Sequence, residues 1–143
     1  EAVAASAITE LDGVEVAAMS WSGSACEVDG TAGGNTIDHR RGEALTLSGF
    51  VVGPGNEPAR DIGLLLKGER SFSIPISSRT ARVDVAGYFG DPRLSDSGFA
   101  VSTTLQAVPP GAYEIHLTMR KDGATLFCEA GKTLRLGDAA GPG

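Results

Sequence analysis

The sequence predicts an all-β sandwich. Apolar residues alternate at period two in several short segments, most clearly Phe72, Ile74 and Ile76 set against serines. Turn residues punctuate these segments at intervals of roughly 8–12 residues, the spacing of about seven strands stacked as two sheets. Glycine is abundant, at 20 of 143 residues, with 7 prolines beside it. That composition suits short strands joined by tight turns better than a helical bundle.

Residues 1–13 read as an N-terminal segment or linker, with Val3, Ala7, Ile8 and Leu11 spaced as one helical face. A helix end, a linker or an exposed strand would each fit them. The chain opens at Glu1 without Met and without the basic and apolar regions of a signal peptide, which reads as a processed or excised chain. The sandwich domain is expected over 14–137, beginning with a strand over 14–21 and a brief one at Cys26–Val28. Gly30, Gly33, Gly34 and Asn35 mark turns, and mobility is expected from Thr31 to Gly42.

Regular alternation starts at Ala44. Leu45, Leu47, Gly49 and Val51 fall on one face of a strand and Phe50 and Val52 on the other. Pro54, Gly55 and Pro58 make 53–61 a loop. Ile62, Leu64 and Leu66 point one strand at the core, and Pro75 gives the next an edge position or a bulge. A short helix near 83–89 interrupts the strands, and the stretch Arg79–Phe99 is expected to cross between the two halves of the sandwich. Strands resume over 98–108 and 112–123, the second with Tyr113, Ile115, Leu117 and Met119 inward and His116 on an exposed face. Asp122-Gly123 supplies a hairpin turn, two further strands cover 124–130 and 132–137, and 138–143 is a C-terminal tail.

The formal net charge is −6. An acidic surface argues against nucleic acid or an anionic membrane as partner. No stretch approaches the ~18 apolar residues of a membrane span. Two cysteines, Cys26 and Cys128, read as a disulfide in a strand-rich acidic chain, with two buried thiols as the alternative. There is no Cys-x-x-Cys, and His39 and His116 lie far apart in sequence, so no zinc site is expected. Asp84, Asp91 and Asp96 offer hard oxygens for calcium, but their spacing fits no EF-hand, and caps and turns explain them more simply. No metal and no cofactor is expected.

Read in order, Cys26-Glu27-Val28-Asp29-Gly30, Leu47-Ser48-Gly49-Phe50, Arg82-Val83-Asp84-Val85-Ala86, Ser97-Gly98-Phe99, Pro109-Pro110-Gly111-Ala112-Tyr113 and Phe127-Cys128 form a series of landmarks. The series resembles a bacterial extracytoplasmic β-sandwich module, found alone or attached to membrane proteins of the glycosyltransferase type and other cell-envelope proteins. The resemblance covers 26–136. It departs from the family pattern at Phe50, where Trp is frequent, and at Val83, where Pro is frequent. It implies an immunoglobulin-like sandwich located in the envelope, periplasmic or on the cell surface, and carries over no catalytic residue. In such a sandwich Tyr113 would sit at the entry to a strand and hydrogen-bond back to the preceding corner, the alternative being a plain core aromatic.

The candidate ligand-binding residues are Trp21, Arg82, Asp84, Tyr88 and Phe89, rings and polar groups of the kind that stack on and hydrogen-bond to a sugar. The competing reading makes Tyr88 or Phe89 a plug at one end of the sandwich, Trp21 an edge cover, and Arg82–Asp84 a local ion pair. The chain contains no Gly-x-Ser-x-Gly, no Gly-x-Gly-x-x-Gly and no Gly-Lys-Ser/Thr, and with two histidines it is read as a non-enzyme. The expected function is a non-catalytic interaction module of the cell envelope, glycan-associated, with an envelope protein or glycan as partner. The alternative is a self-associating subunit of an extracellular filament, suggested by the Ala-rich N-terminal segment.

Overall fold

The alternating segments build two sheets. The computed structural model describes residues 8–29 and 35–138. Its strands are β1 (Thr9–Leu11), β2 (Ser20–Trp21), β3 (Cys26–Val28), β4 (Thr36–Arg40), β5 (Leu45–Gly53), β6 (Glu57–Pro58), β7 (Gly63–Lys67), β8 (Ser71–Pro75), β9 (Ser78–Thr80), β10 (Gly98–Thr103), β11 (Gly111–Lys121) and β12 (Ala124–Gly137). Two short helices, α1 (Gly13–Ala17) and α2 (Val83–Phe89), accompany them. One sheet runs β1-β8-β7-β11-β12-β2, with β4 also on β12. The other runs β3-β5-β10-β9, with β6 on β5. β2 and β4 lie parallel to β12, and the remaining described pairings are antiparallel.

Period two decides which side chains meet between the sheets. Leu47, Val51, Phe99 and Val101 from one sheet join Leu64, Leu66, Ile74, Ile115, Leu117 and Met119 from the other in a single buried cluster. Each such side chain contributes about 1.5–3 kcal/mol through burial. The Cys26–Cys128 disulfide ties β3 to β12, and so sheet to sheet, across a sequence separation of 102. The Tyr113 hydroxyl donates to the Pro109 carbonyl four residues upstream, fixing the corner at which the chain enters β11.

Phe50 and Val52 point out of the sandwich, and α2 covers them. Val52, Val85, Ala86 and Leu94 form a second buried cluster, with Phe50 and Phe89 packed against it. Helix therefore forms at 83–89 as expected, but it joins β9 to its sheet neighbour β10. The passage from one sheet to the other is made earlier, between β8 and β9.

Four local expectations are corrected. The strand anticipated over 14–21 is replaced by α1 and the short β2. Asp12 accepts a hydrogen bond from the Glu15 amide at 2.7 Å, and Glu15 accepts from the Asp12 amide at 3.2 Å. This capping box nucleates a turn more strongly than four alternating residues favour a strand. Of the segment expected to be mobile, Thr36–Arg40 is a strand held against Thr133–Gly137, while 31–34 lie outside the described residues. The two strands expected after Gly123 are one, β12, bent by a register irregularity opposite Ile115 and His116 and by the left-handed Gly131 at φ 72°.

The fourth correction concerns His116. It alternates away from the core, yet only 4% of it is exposed; Leu65 beside it is 2% exposed. β1 and β2 occupy opposite edges of the same sheet, so residues 12–19 cross its outer face as a strap. A covering segment of this kind leaves no trace in strand alternation. Of the helical face anticipated over 1–13, Val3 and Ala7 lie outside the described residues, and Thr9–Leu11 pairs with Ser71–Ser73.

Candidate functional site

Four of the five candidate ligand residues gather on the outer face of the β3-β5-β10-β9 sheet. α2 places them there. Its first turn follows Arg82 and its end is closed by Gly90 at φ 65°, a conformation that glycine adopts without strain. Val85 and Ala86 face the sheet, so Asp84, Gly87 and Tyr88 face outward. Asp91 then caps the following turn by accepting from the Arg93 amide at 2.9 Å, and Arg93 returns its guanidinium to the same carboxylate at 2.7 Å.

Arg82 is the hub. It donates to both oxygens of Asp84, at 3.0 and 2.9 Å, and to Asp29 Oδ2 at 2.9 Å. Its guanidinium carbon lies 5.3 Å from the centroid of the Phe50 ring, within cation–π range. The hydrogen bonds from Arg82 hold the Asp84 carboxyl below its ordinary range. Arg79 is engaged as well, donating to the carbonyls of Gly98 at 3.0 Å and Ala59 at 3.1 Å, and burial lowers its pKa. These arginines spend their donors on the protein itself. Asp84 and Asp91, two of the carboxylates considered for calcium, are each occupied by an arginine.

The aromatic residues divide. Phe89 is half-buried against the second cluster and meets Tyr88 edge-on, with centroids 5.0 Å apart. Tyr88 is 85% exposed, so it does not plug the sandwich. Trp21 is 67% exposed and lies on the other sheet, in β2 against Phe127 of β12. Among the described residues, no hydrogen bond, ion pair or ring contact joins it to the other four.

Two grooves lie elsewhere. One of about 620 Å³ is lined by residues including Asp38, His39, Arg40 and Arg135. Another of about 630 Å³ runs beside the strap. His39 engages the Glu43 carbonyl at 2.8 Å. His116 pairs through Nε2 with Glu114 at 3.1 Å and packs edge-on against Phe127 at 5.5 Å. Among the described residues, no three His, Cys, Asp or Glu side chains gather as a metal site, and no helix is long and apolar enough to cross a membrane.

Sequence reasoning missed Asp29, 53 residues from the arginine it pairs with, and the Glu10–Arg70 pair that fastens β1. Neither pair has a local signature, because each is made by sheet topology. No protein-family model matches the chain, and a search of the curated proteins finds no match.

Proposed function

We propose that this chain is a non-catalytic, immunoglobulin-like interaction module that works outside the cytoplasm, in a bacterial cell envelope. The observation that carries the reading is the Cys26–Cys128 disulfide joining the two sheets of a β-sandwich, since structural disulfides persist in oxidising compartments. The strand order supports the immunoglobulin-like part. Four strands, β3-β5-β10-β9, oppose β8-β7-β11-β12, the arrangement expected when the chain folds as a Greek key. The tyrosine at the entry to β11 adds to it. The landmark residues that resemble envelope modules supply the bacterial setting.

The contact surface is the outward face of α2. Tyr88 stands almost free of the protein one helical turn after Asp84, on a helix seated on buried Val85 and Ala86. An aromatic plane beside a carboxylate suits stacking and hydrogen bonding to a sugar ring or to an envelope protein. The two histidines are engaged within the protein, which favours binding over catalysis. Cell fractionation combined with a glycan array tests this reading. Extracytoplasmic location and binding that falls at least tenfold in Tyr88→Ala, with an unchanged circular dichroism spectrum, are expected. A cytoplasmic chain would remove the envelope assignment, and a blank array would remove the glycan ligand.

A further inference from the structure

The N-terminal arm is lightly secured: of its described residues, half-buried Ile8 alone packs against the main core cluster. β1 closes the β8 edge with three residues, Thr9–Leu11 against Ser71–Ser73, and one exposed ion pair, Glu10 to Arg70 at 2.7 and 2.8 Å. α1 contributes no buried residue, and Leu11, Val16 and Met19 are only half-buried. The chain just beyond is firmly held. Ser22 donates its amide to the Phe127 carbonyl at 2.8 Å, and Cys26 is bonded to Cys128. Few buried contacts on one side of Met19 and a covalent anchor on the other make Ala18–Met19 a natural hinge.

Lifting the arm would bare the β8 edge and the groove bounded by Thr9, Leu11, Met19, Ser73, Thr118 and Arg120, with buried Ile62 and Ile74 in its lining. An unpaired edge above buried apolar residues recruits another strand. The segment that fits this edge in register and charge is the arm itself, and an identical arm on a second copy would meet Ser71–Ser73 and Arg70 in the same way. We infer that residues 8–19 exchange between two copies, so that β1 of each pairs with β8 of the other in a closed two-fold dimer. β2 stays on its own β12. The partner is a second copy of this chain, whatever else the module binds.

Paired cysteines test the exchange. Thr9 and Ser73 are directly opposed in the β1–β8 register, within disulfide reach for paired strands. No described cysteine is free to compete. Isotope-labelled Thr9→Cys chain is mixed at high concentration with unlabelled Ser73→Cys chain, warmed briefly to open the arms, oxidised, and weighed without reductant. The expected product is a heterodimer of one chain of each kind, in a yield that rises with concentration. Heterodimer no more abundant than the two homodimers would overturn the inference when the doubly substituted chain closes only on itself. Failure of that double variant to close at all would remove the strand pairing and the exchange with it. Neither negative result touches the envelope reading, which rests on the disulfide and on α2.

Discussion

Arg82 donates to Asp29 across 53 residues of chain, Nη1 to Oδ2 at 2.9 Å. The bond ties the end of β3 to the start of α2, while the same guanidinium grips Asp84 and lies over Phe50. Arg82→Ala should therefore cost about 1–2 kcal/mol, the sum of one cation–π contact and two partly exposed ion pairs. Arg82→Lys should recover less than half of that loss, because a compact ammonium cannot fork to Asp84 while reaching Asp29 and has no planar face to lay over Phe50. Urea denaturation of the two variants checks both statements, and a lysine variant as stable as the parent would refute the geometric argument.

Two glycines should respond to alanine in opposite directions. A Cβ on Gly49 would stand 1.9 Å from the Glu27 carbonyl oxygen and 3.0 Å from the Val28 Cα. Both are backbone atoms of β3 that cannot move without breaking the sheet. Gly49→Ala should destabilise by about 3 kcal/mol or more. Gly87 lies on the exposed face of α2, with nothing within 4 Å of a Cβ built there. Gly87→Ala should stabilise by up to about 1 kcal/mol through helix propensity. Thermal melts of the pair read both signs in one experiment.

The disulfide closes 102 residues of chain. Limiting the unfolded ensemble over such a loop is worth on the order of 4–5 kcal/mol in the chain-entropy model. Reductant should add two hydrogens to the intact mass and lower the denaturation midpoint markedly. Cys26→Ser with Cys128→Ser should reproduce the shift. An unchanged midpoint would mean that the two sheets need no covalent tie.

Acid should weaken the fold from a known direction. Glu10, Asp84 and Asp91 lie below the ordinary carboxyl range because Arg70, Arg82 and Arg93 donate to them. Each carboxyl therefore holds its proton less tightly folded than unfolded. The stability this gives is complete above the ordinary values, 4.5 for Glu10 and 3.8 for the two aspartates, and drains away as pH falls below them through the folded values. Glu10 and Asp84 are exposed and Asp91 is half-buried, so the loss should be shallow and salt should flatten it further. Melting temperatures between about pH 5 and about pH 3 should fall, and less steeply in Asp91→Asn, which keeps the cap to Arg93 but not the charge. A parent profile that is flat across this range would contradict the assignment.

The core was legible in the sequence because period-two alternation survives in one dimension. Phe72, Ile74 and Ile76, and Tyr113 through Met119, needed only counting. α2 was legible because a dense turn-rich stretch interrupts the alternation. The short strands β4, β6 and β9 are not recognisable as sheet members in the sequence, and β1 is only one of three readings of its segment, since two to five residues carry too little pattern and owe their conformation to the neighbour they pair with. α1 hid behind two alternating valines, its signal lying in Asp12 and Glu15. The Arg82 hub was half readable. Asp84 is two residues away, whereas Asp29 meets the guanidinium only once β3 has found β5. Burial of His116 could not be foreseen, because it depends on neighbours that only the folded sheet supplies, the Phe127 ring at 5.5 Å among them.

That dependence runs in one direction along the chain. β2 and β4, made well before it, lie parallel on β12, the last strand described. A chain made from its N-terminal side must therefore hold β2, β4 and the Cys26 thiol without partners until residues 124–137 arrive, although β3 itself can already pair with β5. Contacts so distant in sequence slow folding and prolong exposure of unpaired strand. Cys26 has no disulfide partner until Cys128 is made 102 residues later, so the covalent step that ties the two sheets together is also among the last that this fold can take.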